Sequence, residues 1–282
     1  MKIGIIGSSG FVGSNLYLHL SKTTKNKIFK LSSHNKYKKK WINTICKEIK
    51  NKKPDILINC ASSQDLGEDN NAIKDLINSN LYAGAAFLNQ ATQNNNFSGY
   101  ISFGTKWEFD QNGKYNPLNF YATTKHVNDY FLKYFSIKKN ITTVSLKIFD
   151  TYGVNDKRKK ILNLLLDSYK KNKVLKISPG KQYLDFVNVL EICELVKRIC
   201  TDIRGRKIKG FNRYTVSSKK PIKLINLINI LRKKLNKRLK VKIGAKKYRK
   251  NEAMKPLKTI YNYPGWKSKK NLILELKKIF DN

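Results

Sequence analysis

Residues 2–13 read Lys-Ile-Gly-Ile-Ile-Gly-Ser-Ser-Gly-Phe-Val-Gly, and no other stretch restricts the fold as strongly. Ile3, Ile5 and Ile6 form a short apolar run, the pattern of a strand buried in a parallel sheet. Gly7, Gly10 and Gly13 follow at GxxGxxG spacing, and Phe11, Val12, Leu16, Leu18 and Leu20 then read as a buried helix. A strand, a tight glycine turn and a helix N-terminus make an anion site, because free backbone N–H groups and the helix dipole converge on one point. Glycine is needed where backbone touches a pyrophosphate or where helix and strand pack closely. Gly7, Ser9, Gly10, Phe11, Val12 and Gly13 are therefore the expected phosphate contacts.

The chain then alternates. Strands are expected near residues 2–6, 27–31, 55–60, 99–104 and 143–148, and helices near 11–21, 41–51, 80–94 and 121–139. This alternation predicts an α/β fold with a doubly wound parallel sheet over residues 1–150. Residues 151–282 are less regular, with a helical pattern at Ile161–Tyr169, an extended one at Leu184–Val189 and a helical one at Ile222–Leu235. They are expected to form mainly a smaller substrate-binding domain that can return strands or helices to the sheet. No run approaches the ~20 apolar residues of a membrane span, and the first strand begins too early for a signal peptide to be expected. Cys46, Cys60, Cys193 and Cys200 lack metal or redox spacing and read as reduced thiols of a cytoplasmic chain.

With 58 basic and 19 acidic residues the net charge is +39, a value that ordinarily suggests nucleic acid. Only 8 of the basic residues are Arg, the residue used for bidentate recognition. Abundant Asn and Ile point instead to lysine-favouring codon usage, so specific nucleic-acid binding is not expected. From Cys200 onward 26 basic residues face 4 acidic ones, a bias that attracts anionic substrates such as nucleotide diphosphate sugars.

An acidic residue after the second strand would hold the adenosine ribose of NAD. The chain reads Ser32-Ser33-His34-Asn35-Lys36 there, and the hydroxyls and cation of Ser32, Ser33 and Lys36 favour the 2′-phosphate of NADP(H) over NAD(H). Asp55–Ala61 is a buried strand ending in small residues, Cys60 and Ala61, that let an adenine approach.

Tyr121 and Lys125 lie one turn apart on one helix face. A neighbouring ammonium favours the phenolate and lowers the tyrosine pKa, so Tyr121 is the expected proton donor or acceptor. Thr105 ends a buried strand, placing its hydroxyl at the edge of the sheet where ligands bind.

Taken together, Gly7, Gly10, Gly13, Asn59-Cys60-Ala61, Asn80, Thr105, Tyr121 and Lys125, with the stretches Lys147–Gly153, Pro179–Val189 and Gly265–Lys267, resemble the extended short-chain dehydrogenase/reductases that modify nucleotide-linked sugars. The resemblance spans nearly the whole chain. It implies a Rossmann fold, Tyr121 as acid/base, Lys125 on the nicotinamide ribose, Thr105 orienting the substrate, and a homodimer packed through the helix of Tyr121. It adds Ser62 and Asn80 to the cofactor contacts and makes Lys106, Trp107, Asp150, Arg158 and Tyr183 the candidate substrate contacts. The runs Gly104–Glu108 and Tyr115–Ala122 are most similar to CDP-abequose synthase-type reductases, which reduce a nucleotide-linked 4-keto-6-deoxyhexose.

Departures from the family pattern are informative. The 4,6-dehydratases of this branch carry Asp-Glu after the Thr to expel water, whereas Lys106 and Trp107 stand here. Asp150 and Leu184 stand where the branch often has Asn and Arg holding the diphosphate; Lys147 or the Lys157–Lys160 run is the expected cation beside Asp150. The expected activity is NADPH-dependent reduction of a CDP- or dTDP-linked keto sugar for surface polysaccharide. An epimerase with tightly bound NAD and a non-catalytic cofactor sensor are the alternatives.

Overall fold

The computed structural model describes residues 1–31, 40–235, 239–248, 252, 254–259 and 261–281. Ser32, Ser33 and Lys36 lie outside the described residues.

The first half runs β1 (Lys2–Ile6), α1 (Phe11–Thr23), β2 (Lys27–Leu31), α2 (Trp41–Lys52), β3 (Ile56–Asn59), α3 (Asn70–Ile77), a π turn (Asn78–Tyr82), α4 (Ala83–Ala91), β4 (Gly99–Thr105), a 3-10 turn (Lys106–Glu108), α5 (Phe120–Lys139) and β5 (Thr142–Ile148). It continues through β6 (Asp150–Tyr152), α6 (Ile161–Lys170), β7 (Leu175–Lys176), β8 (Tyr183–Leu184), β9 (Phe186–Asn188) and α7 (Val189–Arg204). The remainder is β10 (Phe211–Val216), β11 (Ile222–Lys223), α8 (Leu224–Lys234), β12 (Val241–Lys242) and α9 (Leu272–Asp281).

Six parallel strands form the sheet in the order β10-β5-β4-β3-β1-β2. This is a Rossmann doubly wound sheet, and the order reverses between β1 and β3, where a ligand crevice opens at the carboxyl ends of the strands. Strand alternation divides the apolar side chains between two faces. Ile3, Ile5, Ile58 and Val144 pack under α1 and α7 with Leu16, Ile192, Val196 and Ile199. Ile6, Leu31 and Leu57 pack under α2, α4 and α5 with Ile49, Phe87 and Leu132. A third core joins Tyr152, Leu165, Phe186, Leu227, Leu231 and Phe280.

The second half does return elements to the sheet: β10 pairs with β5, and α7 covers the face it shares with α1. The helix expected near 80–94 begins earlier, at Asn70, because Asp69 caps it by accepting from the amides of Asn71 and Ala72. The π turn then interrupts it. Ile222 and Lys223, expected to be helical, pair with β8 before α8 begins. Val189 opens α7 rather than ending a strand, since the Asn188 side chain caps there on the Leu190 amide. Among the described residues no helix is long and apolar enough to cross a membrane.

Candidate active site

Two of the three turn glycines are dictated by close approach. Gly7 sits at φ +74, and a Cβ there would lie 2.6 Å from the Ala61 nitrogen; at Gly13 it would lie 2.2 Å from the Gly7 carbonyl oxygen. At Gly10 only the Gly7 oxygen, at 3.4 Å, comes within 4 Å, so the space beside it is open. Gly10 is also the N-cap of α1 and offers no side-chain acceptor, which leaves the first amides of that helix free for an anion. Ser9 is exposed next to them. The turn therefore fits the pyrophosphate of a dinucleotide.

Cys60, Ala61 and Ser62 follow β3 beside this turn, with the Cys60 amide donating to the Ile6 carbonyl at 2.9 Å. Asn80, expected to touch the cofactor, makes four hydrogen bonds within the protein. Its Oδ1 accepts from the Ser62 hydroxyl (2.9 Å) and the Ser63 amide (3.0 Å), while its Nδ2 donates to the Ser63 carbonyl (3.2 Å) and the Thr124 hydroxyl (3.1 Å). It ties the 62–63 loop to the helix of Tyr121, and the π turn aims it there.

Tyr121 enters α5 directly after its cap, where the Asn119 side chain accepts from the Ala122 amide at 2.9 Å. Trp107 packs edge-on against its ring at 6.3 Å, and the Lys125 ammonium lies 6.0 Å from the ring centroid. Thr105 ends β4, and its hydroxyl accepts from the Trp107 amide at 3.3 Å. The structure thus brings the turn after Thr105 against Tyr121 and Lys125.

The expected depression of the tyrosine pKa is reversed in the free protein. Burial, then the Glu108 carboxylate, push the Tyr121 phenol up to about 12, against the opposing Ser62 hydroxyl. Burial brings the Lys125 ammonium down to about 8. Desolvation penalises a charged phenolate and a charged ammonium alike, and it is the largest cause at both residues.

Among the substrate candidates, Lys106 and Asp150 satisfy each other: the ammonium is 2.5 Å from Asp150 Oδ2, which also accepts from the Asp185 amide at 3.1 Å. The cation beside Asp150 is therefore Lys106, rather than Lys147 or the Lys157–Lys160 run. Asp150→Asn would leave the buried Lys106 ammonium without its counter-charge. A loss of about 1–3 kcal/mol in urea unfolding is expected, with Lys106→Met/Asp150→Leu closer to the parent because both charges then leave together.

Trp107 borders a cavity of about 620 Å³ with Phe109, Pro117, Leu118, Met254 and Leu257. Tyr183 shares a narrow cleft with Lys106, and the Lys223 ammonium sits 5.5 Å above its ring. Arg158 is engaged at the glycine turn. It makes a bidentate pair with Asp156 (2.7 Å twice) and stacks 4.2 Å over Phe11, at the glycine turn.

Sequence reasoning overlooked a buried charge network beneath Thr105. Glu108 accepts from the Thr105 amide (2.8 Å) and pairs with Lys147 (2.5 Å); Lys147 also reaches Asp129, which binds Arg213 at 2.7 Å. His126 places Nδ1 3.3 Å from Glu108 Oε2. Two signals were in the sequence: Thr-x-x-Glu at 105–108 is a capping box, and Lys147 is the lone charge in its strand.

A family model described as the NAD dependent epimerase/dehydratase family matches residues 3–212. CDP-abequose synthase of Yersinia pseudotuberculosis is 26% identical over 273 residues, covering 91% of this chain and 92% of that protein. Similar solved structures include UDP-glucuronic acid 4-epimerase from Bacillus cereus in complex with UDP-glucuronic acid and NAD, with a TM-score of 0.83 at 16% identity over 100% of this chain and 98% of that one. RMD from Pseudomonas aeruginosa complexed with NADPH has a TM-score of 0.78 at 16% identity, over 100% and 99%. At these identities the structural likeness concerns the fold. The glycine turn, the sheet order and the matched span together show that this chain belongs to the NAD dependent epimerase/dehydratase family.

Proposed function

We propose that the protein is a reductase that uses NADPH to convert a nucleotide-linked 4-keto-6-deoxyhexose, carried on CDP or dTDP, into the 4-hydroxy sugar for surface polysaccharide. The observation that carries this reading is the surroundings of Thr105. Lys106 is ion-paired, Trp107 lies on Tyr121, and the nearest carboxylate, Glu108, is fully buried in a salt bridge. No free carboxylic acid follows Thr105 to expel water, whereas a single phenolic acid suffices to reduce a ketone. The likeness to CDP-abequose synthase supports the same reading.

When bound, a nicotinamide cofactor supplies the hydride. The glycine turn and the first amides of α1 would hold its pyrophosphate, with Cys60, Ala61 and Ser62 alongside. Tyr121 stays protonated at neutral pH, since its phenol is raised to about 12, and gives its proton to the carbonyl oxygen. The Thr105 hydroxyl already accepts from the Trp107 amide, so its own hydrogen is left to donate to that oxygen. Lys125 supplies a positive charge one turn from Tyr121. The preference for NADP(H) rests on Ser32, Ser33 and Lys36 in the sequence.

Stoichiometric oxidation of NADPH with CDP- or dTDP-linked 4-keto-6-deoxyhexoses is the expected result. The fold shared with UDP-sugar 4-epimerases favours one competing reading, an epimerase that retains NAD. Sugar interconversion by NMR with no net cofactor oxidation would establish it.

Lys125 also sets a pH dependence. Its folded pKa of about 8 lies below the ordinary 10.5, so the ammonium is present at neutral pH and is lost as pH rises through about 8. The rate, as kcat/KM, is expected to fall on that alkaline limb. The stability contribution has the opposite sign: the cost of burying the charge is fully present below about 8 and is relieved as pH rises toward 10.5. A pH–rate profile and urea unfolding at matched pH separate the two.

We also propose a homodimer through α5, whose outer face exposes Tyr130, Tyr134 and Ile137. Light scattering is expected to give twice the mass of one chain, acting in the cytoplasm with four free thiols.

A further inference from the structure

Lys147 is the feature that the reaction described above leaves unexplained. It lies near the end of β5, between β4 and β10, with a relative exposure of 0%. A buried ammonium is tolerated only when its counter-charges are held in good geometry, and such a group is an expensive way to fill a core. Its partners are placed with a pattern. Glu108 Oε2 is 2.5 Å from the ammonium, while the other oxygen of Glu108 accepts the amide of Thr105 itself at 2.8 Å. Both oxygens of Asp129 lie within 3.0 Å of the ammonium. Asp129 stands on α5, one turn past Lys125 and two past Tyr121, and is braced from behind by Arg213 of β10 at 2.7 Å.

The sheet makes room for this crossing. Gly104 is the register partner of Lys147, and a Cβ on Gly104 would lie 2.5 Å from Glu108 Oε1 and 2.5 Å from Lys147 Cδ. The residue before Thr105 is therefore a glycine because two charged side chains pass over it.

We propose that Glu108 and Lys147 are positioning residues that lock the turn bearing Thr105 to the helix bearing Tyr121 and Lys125, so that the two hydroxyls address one substrate oxygen. The single ammonium touches one carboxylate from each element and fixes their separation. The proposal rests on the reading of Thr105 and Tyr121 as the reacting pair. Neither Glu108 nor Lys147 contacts substrate in this account.

The test uses two variants of the full chain. Glu108→Gln keeps the shape and the acceptor for the Thr105 amide but removes the charge facing Lys147. Gly104→Ala keeps every charge and drives the pair apart, and it serves if Glu108→Gln fails to fold. Hydrogen exchange of the peptide covering 103–109 is compared with that of the glycine turn, alongside NADPH affinity and the split between kcat and KM. Expected are faster exchange at Thr105, unchanged exchange at the glycine turn, unchanged NADPH affinity and KM, and a kcat lower by about 10²-fold, the scale of a 1 Å misplacement. A folded variant with parental kcat, or with parental exchange at Thr105, overturns the proposal. If the parent protein turns over no keto sugar, the reductase reading fails on its own. The exchange comparison then decides the positioning role alone: faster exchange confined to 103–109 supports it and unchanged exchange ends it.

Discussion

Tyr121→Phe is expected to lower kcat by about 10²–10⁴-fold, the usual worth of a positioned acid, while leaving NADPH affinity at the parental value. The substitution removes one hydroxyl and keeps the ring that Trp107 packs against at 6.3 Å, so the local packing survives. Burial of the phenol keeps the proton on oxygen throughout the neutral range, which is the state that a carbonyl oxygen needs as it gains charge. The charged groups of the neighbouring turn are engaged elsewhere. Lys106 is committed to Asp150, and the Glu108 carboxylate is paired with Lys147. Steady-state rates together with a fluorescence titration of NADPH check both halves. A variant as fast as the parent would remove Tyr121 from the chemistry.

Gly13→Ala carries the other large effect, and it acts on the cofactor. The added methyl would lie 2.2 Å from the Gly7 carbonyl oxygen, 2.8 Å from its carbon and 3.0 Å from Ser8 Cα. All three are backbone atoms of the turn, so no side chain can rotate away, and α1 must lift off the turn. Overpacking of this kind costs about 1–3 kcal/mol, and the displaced helix N-terminus no longer presents its amides to a pyrophosphate. A loss of about 10²-fold or more in NADPH affinity is expected, with a lower unfolding midpoint. Gly10→Ala is the informative control. Its methyl meets only the Gly7 oxygen at 3.4 Å, so the free protein should unfold like the parent. Any loss of affinity there reports a phosphate occupying the open side of Gly10.

The elements that sequence reading located are those whose patterns are local. The apolar runs at 2–6 and 143–148 and the strand–glycine–helix join at 7–13 required nothing beyond neighbours in the chain. What it missed depends on tertiary context. Phe211–Val216 is half-buried and carries Asn212, Arg213 and Thr215, so its pattern does not stand out as a strand; pairing with β5 makes it the edge strand of the sheet. The π turn at Asn78–Tyr82 adds a residue without disturbing the apolar pattern on either side, yet it aims Asn80 inward. Tyr121 and Lys125 were legible as a pair from spacing alone. The direction of their pKa shifts was not, because burial dominates it and spacing does not encode burial. Lys106 and Asp150 were both visible as candidates, but their pairing spans 44 residues of chain.

The late arrival of β10 has a consequence for the chain as it is made. When β5 leaves the ribosome, its outer edge has no partner until Phe211–Val216 follows, roughly 60 residues later. At about 5–20 residues per second that is several seconds of exposed strand edge during synthesis. The edge is Thr-Thr-Val-Ser-Leu-Lys-Ile, β-prone but interrupted near its end by the Lys147 ammonium. A charge in such a strand resists pairing with other nascent chains. The same lysine is neutralised on both sides only after α5 has docked, and Arg213 then braces that arrangement as β10 closes the sheet. A lysine with no exposure in the finished fold thus stands, until β10 arrives, on a strand whose outer edge is open.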